Sequence, residues 1–91
     1  MMKTLHYIVK GSVQGVAFRH YTVIEAEKFG IRGTVKNLDN GDVEVYAQGE
    51  DEAIERFEAF LRRGPYMARV DEMIREEADD IRAFPYFDVE F

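Results

Sequence analysis

Between Leu5 and Lys10 apolar and polar side chains alternate, with Tyr7 and Val9 on one face and Ile8 on the other, which predicts a strand. From Phe18 to Phe29 the period becomes helical. Phe18, Thr22, Ala26 and Phe29 form one stripe with Tyr21 at its edge, Val23 and Ile24 fall off it, and Gly30 supplies a C-terminal cap. Two more strands, Ile31 to Leu38 and Asp42 to Gln48, flank Asp39-Asn40-Gly41, whose Asn-Gly pair is a hairpin signal; Val43, Val45 and Ala47 share a face. A second helix, Asp51 to Arg63, buries Ala53, Ile54, Phe57, Phe60 and Leu61. Acidic residues stand at its start, and Arg62-Arg63-Gly64-Pro65 close its end. Met67 to Glu77 reads two ways. Met67, Val70, Met73 and Ile74 recur at helical spacing, yet tertiary pairing can override propensity. A last strand, Tyr86 to Phe91, turns Phe87, Val89 and Phe91 one way and Asp88 and Glu90 the other.

The candidate chemistry lies in Gly11-Ser12-Val13-Gln14-Gly15-Val16-Ala17-Phe18-Arg19, between the first strand and the first helix. The first N–H groups of a helix have no intrahelical partner, and the macrodipole favours negative charge there. Gly11 and Gly15 can adopt positive φ, and Arg19 sets a guanidinium fork suited to phosphate oxygens at the helix entrance. The lysine-bearing P-loop pattern is absent. Glycine-rich turns ending in arginine also occur with no ligand, so the second segment, Gly33-Thr34-Val35-Lys36-Asn37, carries weight. Asn37 is a turn residue or cap by default, but its amide can also hold a water. Lys36 alternates to the opposite face from Asn37, and His20 points about 100° away from Arg19 around the helix, so neither is assigned a role. Phe18 reads as core, while Ser12 and Gln14 shape the loop.

Composition narrows the partners. The 91 residues, 46% hydrophobic, are expected to form a single packed domain, 1–91. No stretch suits a membrane span or a signal peptide, and the absence of cysteine fits a reducing compartment. The expectation is a cytoplasmic monomer with no membrane partner. His6 and His20 lack metal-ligand spacing. The net charge of −6 and the lack of a basic stripe argue against nucleic acid, and the strand from Val43 to Gln48 lacks the aromatic RNA-binding pattern. An anionic ligand would therefore need a local positive pocket, which the loop and Arg19 supply.

GSVQGVAFR, then GTVKN, Gly41-x-Val43 and Gly49, in this order and spacing, resemble the acylphosphatase family over essentially the whole chain. Thr34 departs from the aromatic residue the family often carries after its glycine. The resemblance implies a strand over about Ala68 to Glu76. The fold expected is then α+β and ferredoxin-like, βαββαβ with a short last strand: an antiparallel sheet with two helices on one face. It also implies hydrolysis of the carboxyl-phosphate bond of a small acyl phosphate. In that reading the backbone of Gln14, Gly15, Val16, Ala17, Phe18 and Arg19, with the Arg19 guanidinium, holds the phosphoryl oxygens, and inorganic phosphate or another anion can occupy the loop. Asn37 orients the attacking water, a substrate oxygen accepts its proton, and no metal or cofactor takes part. Acetyl phosphate, carbamoyl phosphate and 1,3-bisphosphoglycerate all offer that reactive group. The alternative is a non-catalytic phosphate- or anion-binding regulatory module of the same fold.

Overall fold

The computed structural model describes residues 2–78 and 82–91. Along the chain run β1 (Met2–Ser12), α1 (Phe18–Lys28), β2 (Arg32–Asn37), β3 (Val43–Glu50), α2 (Asp51–Arg63), β4 (Arg69–Glu77) and β5 (Phe87–Glu90). The strands make one sheet in the order β4-β1-β3-β2-β5, and both helices pack on it around a shared core. Pairing is antiparallel throughout β4, β1, β3 and β2, but β5 joins β2 in parallel, so the sheet is mixed where an antiparallel one was expected. The reason is the route of the chain. β4 lies at one edge, and β5, the next strand in the chain, lies at the other, beside β2.

The core is assembled by the two periodicities. Leu5, Tyr7 and Val9 from β1 meet Val43, Val45 and Ala47 from β3 and Val35 from β2, all fully buried. Phe18, Thr22 and Ala26 come down from α1; Ile54, Phe57, Phe60 and Leu61 come from α2. Phe57 meets Phe87 of β5 edge-on at 5.8 Å, an orientation favoured by the ring quadrupoles. Helix α1 ends in a Schellman closure, with Gly30 N–H bonded to Glu27 O and Ile31 N–H to Ala26 O at 2.8 Å. No helix among the described residues is long and apolar enough to cross a membrane.

The ambiguous segment is a strand, and its misleading spacing has a physical cause. In the β1·β4 register Lys10 faces Glu72 but Gly11 faces Val70, leaving Asp71 as an extra residue in a bulge. The bulge shifts the alternation by one, so Val70 and Met73, three apart, both pack against the core. Met67 and Ile74, the other members of the apparent helical stripe, are exposed. Gly11 is needed at this bulge: at φ 135°, a Cβ there would sit 2.1 Å from the Arg69 carbonyl oxygen.

One polar cluster ties α2 to β1 and β4. The buried Tyr7 hydroxyl donates to Glu58 Oε1 at 2.8 Å, Arg75 Nε donates to the same oxygen at 2.7 Å, and Arg62 reaches Oε2 at 3.1 Å. Burial, then the adjacent Glu58 carboxylate, push the Tyr7 phenol above its ordinary range. Desolvation alone raises Glu58, but the hydrogen bonds from Arg75, Tyr7 and Arg62 outweigh it and hold the carboxyl below its ordinary 4.5. A depressed folded-state pKa contributes stability that is complete above the unfolded value and is lost as pH falls through the folded value. Wild type is therefore expected to lose stability below about pH 4.5 more steeply than Glu58→Gln, measured by urea unfolding at stepped pH. Parallel acid limbs for the two proteins would show that Glu58 carries none of this dependence.

Candidate active site

β2 is antiparallel to β3 and β3 to β1, so β1 and β2 run the same way, and β5 is parallel to β2. The carboxyl ends of these three strands therefore share one edge of the sheet, and the start of α1 comes up beside them. β1 leads into the loop 13–17, whose Gly15 (φ 74°) and Ala17 (φ 61°) both adopt left-handed backbone. For alanine this conformation costs about 1–2 kcal/mol, so surrounding contacts must impose it. Left-handed turns of this kind curl successive N–H groups into an anion-binding concavity.

The two helix starts differ in a way that bears on function. α2 begins with Asp51 and Glu52 against the positive end of its dipole. Neither helix has a side-chain cap, but α1 also has no acidic residue in its first turn. Its positive end is left to whatever occupies the loop.

Arg19 and Asn37 line the same cavity of about 310 Å³, with Val13, Gly15, Val89 and Phe91 among its walls. The Arg19 guanidinium lies 5.2 Å from the centre of the exposed Phe91 ring, just past the end of β5, a cation–π arrangement. Among the described residues no carboxylate pairs with Arg19, whereas Arg62, Arg69 and Arg75 all have acidic partners. Asn37, the last residue of β2, carries a buried Oδ1 with no hydrogen-bond partner among the described residues. A buried acceptor left unpaired costs about 1–3 kcal/mol, so its position marks a place for a donor such as water.

The loop is fixed by a contact between distant segments. The Gln14 side chain donates from Nε2 to Leu38 O and to Asp42 O, both at 2.8 Å, clamping the loop to the β2–β3 turn next to Asn37. That turn is itself bound up: Asp42 N–H meets Asn40 Oδ1 at 3.0 Å, and Lys10 Nζ donates to Asp42 Oδ2 at 2.6 Å. The hydrogen bond to Asp42 holds the Lys10 amine above its ordinary range.

Of the residues predicted from sequence, Gly15, Ala17, Phe18, Arg19 and Asn37 meet at this cavity, and Phe18 turns its ring into the core, stacked obliquely on Phe60. Val16 lies on the outer flank of the loop, where it packs partly against the core. Gln14 contributes more than backbone, since its amide is the clamp. The sequence reading missed that clamp, as well as Val89 in the walls. The clamp joins residues 24 and 28 apart, a pairing no local pattern announces. His20, to which no role was given, also lines the cavity. Among the described residues no three His, Cys, Asp or Glu side chains gather as metal ligands.

The family model described as Acylphosphatase matches residues 5–89. A curated acylphosphatase from Geobacter sulfurreducens is 47% identical over 83 residues, covering 91% of both chains. Among solved structures, acylphosphatase from Bacillus subtilis superposes with a TM-score of 0.93 at 32% identity over 100% of each chain. An acylphosphatase from Coxiella burnetii gives 0.92 at 37% identity, covering 98% of this chain and 93% of its own.

The clamp has a measurable consequence. Gln14→Leu keeps the bulk but removes both clamp hydrogen bonds, leaving Leu38 O with Gly41 N–H and Asp42 O with Leu38 N–H as their remaining donors. It is expected to cost about 1–3 kcal/mol, with Tm falling roughly 4–8 °C per kcal/mol. Inorganic phosphate is expected to raise Tm in wild type, and by less in this variant. An unchanged Tm and an unchanged phosphate response would show that the loop holds its shape without this contact.

Proposed function

The chain belongs to the acylphosphatase family, and on that premise we propose that Arg19 and Asn37 are the catalytic pair of its acyl-phosphate hydrolysis. The reaction cleaves the carboxyl-phosphate anhydride to a carboxylate and inorganic phosphate. Phosphoryl transfer asks the protein for positioning and for charge stabilisation on the non-bridging oxygens, with little covalent help. The N–H groups from Gln14 to Arg19 take those oxygens, and the Arg19 fork adds a full positive charge at the helix entrance. Asn37 holds the attacking water through its amide. As the water oxygen bonds to phosphorus, the phosphorus–oxygen bond to the acyl group breaks, the carboxylate departs with the electron pair, and the water's proton passes to a phosphate oxygen. All positive charge in this scheme comes from backbone dipoles and Arg19, so it calls for no metal. Inorganic phosphate, the product, fits the same loop as an inhibitor, and the chain acts alone, as a cytoplasmic monomer.

The observation that carries this reading is the pairing, within one cavity, of an arginine without an acidic partner and a buried amide oxygen without a donor among the described residues. The former suits a phosphoryl group, the latter a water beside it.

Benzoyl phosphate hydrolysis in excess chelator tests the assignment. Wild type is expected to turn over, and Asn37→Ala and Arg19→Ala to lose about 10²–10³-fold or more in kcat while unfolding cooperatively near the wild-type temperature. Wild-type rates in both folded variants would overturn the residue assignment. Phosphate binding by wild type with turnover no faster than buffer would point to an anion-binding module.

A further inference from the structure

A second, larger cavity of about 900 Å³ opens beside the first, and the two share Gly15 and Ala17. Its other walls come from Val16, from Tyr21 of α1, from Phe60 and Arg63 of α2, and from Tyr66 and Met67 between α2 and β4. Arg19 and Asn37 line only the smaller cavity. The larger one is thus a mainly apolar groove running off the outer flank of the loop.

In-line displacement gives that groove a use. Attacking and leaving oxygens stand on opposite sides of the phosphorus. With water held at Asn37, in the smaller cavity, the acyl oxygen must leave away from Asn37. The groove that shares the loop but not Asn37 is the space available there. We propose that this groove is the acyl-group site, and that Tyr66 and Met67 are specificity-determining residues that favour acyl phosphates with a bulky apolar body. The inference rests on the acyl-phosphate reading above and names its substrate class.

The lining suits that occupant. Tyr66 and Met67 are 97% and 69% exposed, an arrangement that leaves their apolar surface to meet a ligand. Arg63 is the one charged residue in the lining, sits 6.0 Å from the Phe60 ring centre, and has no ion pair among the described residues. It places positive charge where the carboxylate is released and disfavours cationic acyl groups.

The experiment compares kcat/KM for benzoyl phosphate and acetyl phosphate in wild type, in the double variant Tyr66→Ser, Met67→Ser, and in Ile24→Ser. Both groove residues are exposed, so their truncation removes no core packing. Ile24 is an exposed apolar residue that lines neither cavity. The ratio of benzoyl to acetyl kcat/KM should fall about tenfold or more in the double variant, mostly through KM for benzoyl phosphate, and stay at the wild-type value in Ile24→Ser. A wild-type ratio in the double variant, or an equal loss on both substrates, overturns the acyl site while leaving the activity intact. A wild type that hydrolyses neither substrate overturns the activity itself, and the acyl site with it.

Discussion

One side-chain amide joins the two halves of the site. The loop that presents N–H groups and the strand end that presents Asn37 belong to separate parts of the chain, and the two Gln14 hydrogen bonds to Leu38 O and Asp42 O hold them at fixed separation. Without them, each half would be an ordinary feature: a glycine-containing turn ahead of a helix, and a hairpin with an asparagine near its bend. Catalysis by positioning needs sub-ångström placement, and in the proposed reading this crosslink fixes the loop that would hold phosphate against the asparagine that would hold water. The left-handed alanine at position 17 is consistent with such a frame, because a non-glycine residue stays in that region only where its surroundings insist.

The sheet sets where this clamp can form. β1, 11 residues long, pairs on both sides, with β3 and with β4, which gives the loop it feeds a firm base. The bulge at Gly11 and Asp71 ends its regular pairing with β4 just before the loop starts. β5, short and late in the chain, would be weak by itself. Its parallel pairing with β2 brings Val89 and Phe91 to the edge where β1 and β2 end, and the Phe91 ring there meets Arg19. A strand that looks like a sheet margin is thereby part of the wall around the site.

How much of this was legible depends on the range of each interaction. Both helices, the hairpin and the buried faces of β1 and β3 follow from periodicity, because each apolar residue reports its own burial. The loop and Asn37 were legible as two ordered motifs through a family resemblance; residues alone left the loop as one anion-site candidate among many turns. The strand at β4 was not legible locally. A bulge breaks the two-residue alternation, and Val70 and Met73 then mimic a helix. The parallel place of β5 was hidden because four residues of strand do not reveal which neighbour they choose. The Gln14 clamp was hidden for a related reason: it joins segments that only the fold brings together.

The net negative charge of the chain opposes an anionic substrate, and distance resolves the conflict. With a net charge of −6, the protein repels an approaching anion, but over separations that salt screens within about 8–10 Å. Inside the loop the terms differ. Two unit charges 4 Å apart interact by about 4 kcal/mol at an effective dielectric of 20. Several cations elsewhere on the molecule are paired. Lys10, Arg62, Arg69 and Arg75 spend their charge on Asp42, Glu58 and Asp71, so the acidic surface does not compete for Arg19. An excess of carboxylates on the surface and one unneutralised guanidinium at the loop are thus compatible. The first slows encounter modestly and only at low salt, while the second acts at contact, where the chemistry takes place.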